Sequence, residues 1–149
     1  KVLSLAGVLQ GRENISFIVL NLKDANGKSV SHNVYWMAPQ QNYLSLQQMT
    51  ASKLQVKIIK TAKEKDLNVW TLEISNVSGQ LAFFINPQLI KDAEEVLPSF
   101  WSDNYFSLAA HESITVTASC PSEKLGRSAP MLRVEGWNVG KQELNLTIK

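Results

Sequence analysis

One cysteine and two histidines in 149 residues narrow the chemistry open to this chain. Cys120 alone excludes an internal disulfide and a cysteine-based metal cluster; it ends the apolar alternation Ile114, Val116, Ala118 and reads as a buried, inert thiol. His32 lies on the apolar side of a strand beside Trp36 and reads as packed, whereas His111 sits in a turn and reads as solvated. With no nucleophile elbow or other local nucleophile motif, nothing assembles a catalytic triad. No apolar run approaches membrane-spanning length, and no signal peptide, repeat or low-complexity stretch is visible. Charge of one sign is scarce too: 15 Lys+Arg against 13 Asp+Glu leave +2. The densest basic run, Lys53, Lys57, Lys60, Lys63 and Lys65, is diluted by Glu64 and Asp66 and reads as a solvated strand edge rather than a phosphate track. Nucleic acid and membrane are therefore not expected as partners, and no cofactor or metal is implied.

What is present is one-sided alternation in short runs, the mark of an antiparallel sandwich. The length is enough for one domain with a real core. Val2–Leu9 reads as a strand, and Ile15–Leu22, apolar on both faces, as a central one. The turn Asp24-Ala25-Asn26-Gly27 sets Ser29–Met37 antiparallel to it; Lys28 and the lack of a closing Glu argue against a calcium loop there. Ala38-Pro39-Gln40-Gln41-Asn42 is a polar break. Seven strands follow: Leu54–Lys60, Leu67–Asn76, Gln80–Pro87, Asn104–Leu108, Ser113–Cys120, Met131–Asn138 and Glu143–Ile148, the last two around a Gly140 turn. Trp70 shares a face with Leu72 and Ile74 and is expected in the core, while Trp137 is out of phase with Leu132 and Val134. Helical signal is thin: one turn at Tyr43–Met49, one or two at Gln88–Val96. The sequons at Asn14, Asn76 and Asn145 are no more than chance provides.

The most aromatic stretch runs from Val96 to Leu108, where Pro98 and Ser102-Asp103-Asn104 make a long loop that drops into a strand. A loop this long is seldom filler: Phe100 and Trp101 either close over the core or dock onto a neighbouring domain or a ligand. The run Val96-Leu97-Pro98-Ser99-Phe100-Trp101-Ser102-Asp103-Asn104-Tyr105-Phe106-Ser107-Leu108, with Glu112-Ser113, resembles the C-terminal immunoglobulin-like domain of exo-β-D-glucosaminidases, which belong with their β-mannosidase-like relatives to glycoside hydrolase family 2. Gly27–Met37 with Tyr43, and Arg133-Val134-Glu135-Gly136-Trp137-Asn138-Val139, resemble the same family in the same order. The sequence departs from it at Ala109-Ala110-His111, where the family tends to have a Pro-Gly turn.

The resemblance implies an all-β, immunoglobulin-like antiparallel sandwich over residues 42–149, with residues 1–38 as trailing strands of a preceding sandwich domain. It implies a non-catalytic fragment. The family's two glutamates sit on a TIM barrel, and this chain has no βα alternation to build one. Of its own carboxylates, Asp92, Glu94 and Glu95 read as a solvated face and Asp103 as a turn-former. The expected partners are other domains of the same polypeptide, with an oligosaccharide as a second candidate. Phe100, Trp101, Asp103, Asn104, Tyr105 and Trp36 are the candidates for domain or sugar contact. The alternative to a bracing role is a carbohydrate-binding module with Trp101 and Tyr105, or Trp137, as its stacking platform. The chain opens at Lys1 directly in a strand-like run, so a fragment of a longer polypeptide is expected, for which a periplasmic or secreted location would fit.

Overall fold

The computed structural model describes residues 4–27, 29–126 and 128–146, which divide into two compact units, Lys1–Met49 and Thr50–Lys149. In the first unit, Asp24 closes the expected turn: its carbonyl accepts the Gly27 N–H at 3.0 Å, and its Oδ1 accepts that of Asn26 at 2.9 Å. The turn joins β1 (Ser16–Lys23) to β2 (Ser29–Met37) in an antiparallel ribbon. Instead of being central, β1 pairs only with β2 among the described residues, and Leu20, Leu22, Val30, Tyr35, Trp36 and Met37 stay exposed. Apolarity on both faces shows that both faces need cover, not that these strands cover each other. Residues 1–3 of the expected first strand lie outside the described residues. Its remainder contains the single helical turn α1 (Ala6–Leu9), because Leu5, Val8 and Leu9 fit helical spacing as well as they fit a strand. Short 3₁₀ turns follow at Pro39–Gln41 and Leu44–Gln48, and the division into units falls after Met49.

The second unit is an immunoglobulin-like sandwich of two antiparallel sheets. One has the order β3 (Leu54–Glu64), β4 (Leu67–Asn76), β9 (Ser113–Pro121), β7 (Phe100–Trp101). The other has β11 (Val139–Asn145), β10 (Met131–Gly136), β5 (Ala82–Lys91), β6 (Glu94–Glu95), with β8 (Phe106–Leu108) also pairing with β5. A further helical turn, α2 (Ser122–Leu125), leaves β9 and seats Leu125 in the core. Trp70, Leu72 and Ile74 of β4 and Val116 and Ala118 of β9, inward positions that the alternation marked, face with Cys120 the side chains of Ile85 and Leu89 of β5 and Leu132 and Val134 of β10. The lysine-rich β3 is an edge strand, bulged between Ile58 and Lys60, as suits an edge that must not recruit other chains.

Three local expectations are corrected. Gln88–Val96 is not helical: β5 continues to Lys91, and Asp92 and Ala93, both left-handed (φ 52° and 68°), turn it into β6. Consecutive left-handed residues match the twist of a tight hairpin, a constraint that acidic composition does not reveal. Asn104–Leu108 is a strand only from Phe106, because Tyr105 at φ 52° breaks the extended chain. The last hairpin turns at Trp137 and Asn138, and Gly140 lies inside β11. Its position follows from Gly136, where a Cβ would stand 2.9 Å from the Phe83 carbonyl oxygen, so only glycine lets β10 end this close to β5.

Candidate functional site

The loop singled out by its aromatics crosses from one sheet to the other. At its start, Trp101 lies opposite Ala118 on β9 and turns inward, half-buried against the core, while Phe100, opposite Ser119, points out and is 57% exposed. Ser102 locks this end: its N–H donates to the Thr117 carbonyl and its Oγ accepts the Thr117 N–H, both at 2.9 Å. Asp103 and Asn104, expected in a turn, lie in irregular chain. Oδ1 of Asp103 accepts the Asn104 N–H, and Oδ1 of Asn104 accepts that of Tyr105, each at 2.8 Å.

The loop delivers Tyr105 to the outward face of β5. There Nδ2 of Asn86 donates to the Tyr105 hydroxyl at 3.3 Å, and the ring meets Phe84 edge-on with centroids 6.1 Å apart. Phe84 is left-handed as well (φ 53°), at the irregularity between Ala82 and Ile85 where the inward phase of β5 is reset. Its N–H donates to Ser107 Oγ at 3.2 Å, and its ring rests edge-on against Phe83. Two bulky residues in this region cost about 1–3 kcal/mol each, and such strain persists where the surroundings over-determine it. Glu135 of β10 is the register partner of Asn86, so its carboxylate shares this face. Trp137, 56% exposed in the adjoining turn, donates its backbone N–H to the Phe83 carbonyl at 2.8 Å.

Of the residues expected at a contact surface, Tyr105 is thus brought beside Phe84 and Asn86, with Glu135 on the far side of Asn86. Phe100 and Trp101 belong to the opposite sheet, and Trp101 gives its ring largely to the core. Trp36 lies in the first unit, opposite Phe17 in the ribbon and 40% exposed. Sequence reasoning missed Phe84 and Asn86; the Phe83-Phe84 doublet, which interrupts the alternation of β5, was the available signal.

Asp92, Glu94, Glu95 and Asp103 are all exposed, and among the described residues no three His, Cys, Asp or Glu side chains group as metal ligands. Burial pushes the Cys120 thiol up. Hydrogen bonds from Lys141 and Arg133 hold the Glu143 carboxyl below its usual range. Asn76 is buried, its Nδ2 facing the carbonyls of Gln80, Leu108 and Ala109, so that sequon serves the fold.

Residues 33–139 match the family described as the exo-β-D-glucosaminidase Ig-fold domain. The chain belongs to this family. Among relatives, the exo-β-D-glucosaminidase of Arthroderma benhamiae is 32% identical over 94% of the chain, and that of Amycolatopsis orientalis 29% over 81%. The crystal structure of the Amycolatopsis orientalis exo-chitosanase CsxA superposes on 92% of the chain with TM-score 0.80 and 27% identity. The chain spans only 17% and 14% of these two relatives and 19% of the solved chain, so this Ig-fold domain is matched to a small part of larger glycosidases.

Proposed function

We propose that the chain is a non-catalytic accessory domain of a glycoside hydrolase of the exo-β-D-glucosaminidase type, in which it braces the catalytic domain and helps to wall the substrate cleft. The observation that carries this reading is the match to an Ig-fold family together with the small share of each relative that the chain covers. The family 2 and β-mannosidase affinity implied by the sequence belongs to the same proposal. So does the division of labour along the chain, in which the exposed β1–β2 ribbon completes a preceding sandwich domain, since a lone two-stranded hairpin is marginal in water.

Phe100 is the probe for bracing, because it is exposed here whereas Trp101 also supports this domain's own core. In the full-length polypeptide, Phe100→Ala should lower activity on glucosamine oligomers or the melting temperature, while residues 1–149 alone melt as before. Unchanged kinetics and melting of the full-length variant would overturn the bracing role. A second reading, a carbohydrate-binding role, is favoured by the exposure of Tyr105 beside Asn86.

A further inference from the structure

We propose that the outward face formed by Phe84, Asn86, Tyr105 and Glu135 is a subsite for a chain of β-linked amino sugar, an inference that rests on the glucosaminidase parentage proposed above. The face has the parts that such a ligand requires. Tyr105 offers an exposed ring for the C–H face of a pyranose, and its hydroxyl is already oriented by Asn86. Asn86 supplies a planar amide for sugar hydroxyls, and Glu135 sets a carboxylate beside it. A protonated 2-amino group would find both an aromatic face and an anion here. Arg133, the cation on the same strand, is turned to Glu143 at 2.9 Å, and Asp103 adds a further negative charge in the loop next to Tyr105.

Geometry supports the assignment. The two left-handed aromatics, one at a strand irregularity and one at a strand end, hold their rings edge-to-face without help from a ligand. Strained backbone of this kind clusters at binding sites, as do bulges that re-aim a side chain. A protein partner fits less well, because the cores of protein interfaces are depleted of charge, whereas here a carboxylate stands next to the amide at the centre of the face.

The test is to titrate residues 1–149 with the hexamer of glucosamine and, separately, the hexamer of N-acetylglucosamine, following backbone amide resonances. The glucosamine hexamer should give saturable shifts centred on Phe84, Asn86, Tyr105 and Glu135, and should bind more tightly than the acetylated one. Tyr105→Ala should weaken binding at least fivefold, and Glu135→Gln should erase the preference between the hexamers. Should Tyr105→Ala fail to fold, Glu135→Gln, a change on an outward sheet position, decides alone. No saturable response, or a response that neither variant alters, overturns the subsite. Protection of Tyr105 in the full-length polypeptide with no response to either hexamer overturns it in favour of a domain contact. Either failure leaves the accessory-domain reading to its own test at Phe100.

Discussion

Phe83 donates its backbone N–H to Oδ1 of Asn138 at 2.8 Å, a bond that ties the start of β5 to the turn of the last hairpin. Nδ2 of the same asparagine faces the carbonyls of Thr50 and Leu81, each at 2.8 Å, and Ser52 Oγ at 3.1 Å. The Ser52 N–H returns a bond to the Asn138 carbonyl at 2.7 Å. One buried amide thus joins the first residues of the sandwich to two strands of its second sheet. Asn138→Ala would strand several of these groups at once, each costing about 1–3 kcal/mol when buried and unpaired. We expect a clear drop in the urea midpoint with the slope of the transition unchanged. A midpoint within error of the parent chain would show that water replaces the amide.

Trp70 is wholly buried, and its Nε1 has no hydrogen-bond acceptor among the described residues. Its contribution is therefore packing. Trp70→Ala should cost about 3–5 kcal/mol. Trp70→Phe, which keeps most of the ring and removes the unpaired N–H, should cost far less. Equal losses in chemical denaturation would mean that the indole nitrogen matters.

His111 occupies a left-handed position (φ 63°) in the corner Ala109–Glu112, closed by the Glu112 N–H on the Ala109 carbonyl at 3.1 Å and by Glu112 Oε2 on the Ala109 N–H at 2.9 Å. This is where the family resemblance leads one to expect glycine. A left-handed L-residue costs roughly 1–2 kcal/mol, and glycine gives part of that gain back through its freer unfolded chain. His111→Gly should raise thermal stability modestly, and a lower melting temperature would show that the imidazole makes contacts that outweigh the strain.

Cys120 should resist alkylation in the folded chain and react quickly once urea unfolds it, because its thiol is buried and held protonated. Since the folded pKa is raised above the usual 9.0, the unfolded thiol ionises first; the contribution is whole below that pH and is lost as pH rises through the folded pKa. Cys120→Ala should flatten that alkaline loss, and an unchanged alkaline profile would count against the thiol as its source.

Glu143 behaves oppositely. Its carboxylate accepts from Arg133 at 2.9 Å and lies 3.0 Å from Lys141, and its pKa is lowered from the usual 4.5. Stability from this trio is present above the unfolded pKa and fades as pH falls through the lower folded one. Glu143→Gln should remove that acid-side slope, with an effect that shrinks in high salt. An acid profile identical to that of the parent chain would sink this.

How much of this was legible beforehand can be followed residue by residue. The alternation of Trp70, Leu72 and Ile74 against their polar neighbours assigned a strand and its inward face, because a pleated strand offers no other way to hide every second side chain. The same period marked β9, and lysine spacing marked β3 as an edge. The resemblance placed the sandwich and its family. The long-range pairings that focus on one asparagine were not legible, nor was the meeting of Tyr105 with Phe84 and Asn86 across two turns.

The sequence by itself determined the central strands β4 and β9 and the faces they bury, which follow from local period and composition, while its motifs carried the resemblance to the family. Only the tertiary structure decided which aromatics remain at the surface, where the left-handed turns fall, and which polar groups share a face with Tyr105. Those outcomes depend on cross-strand register and on close backbone approach, and neither leaves a periodic trace in the order of residues.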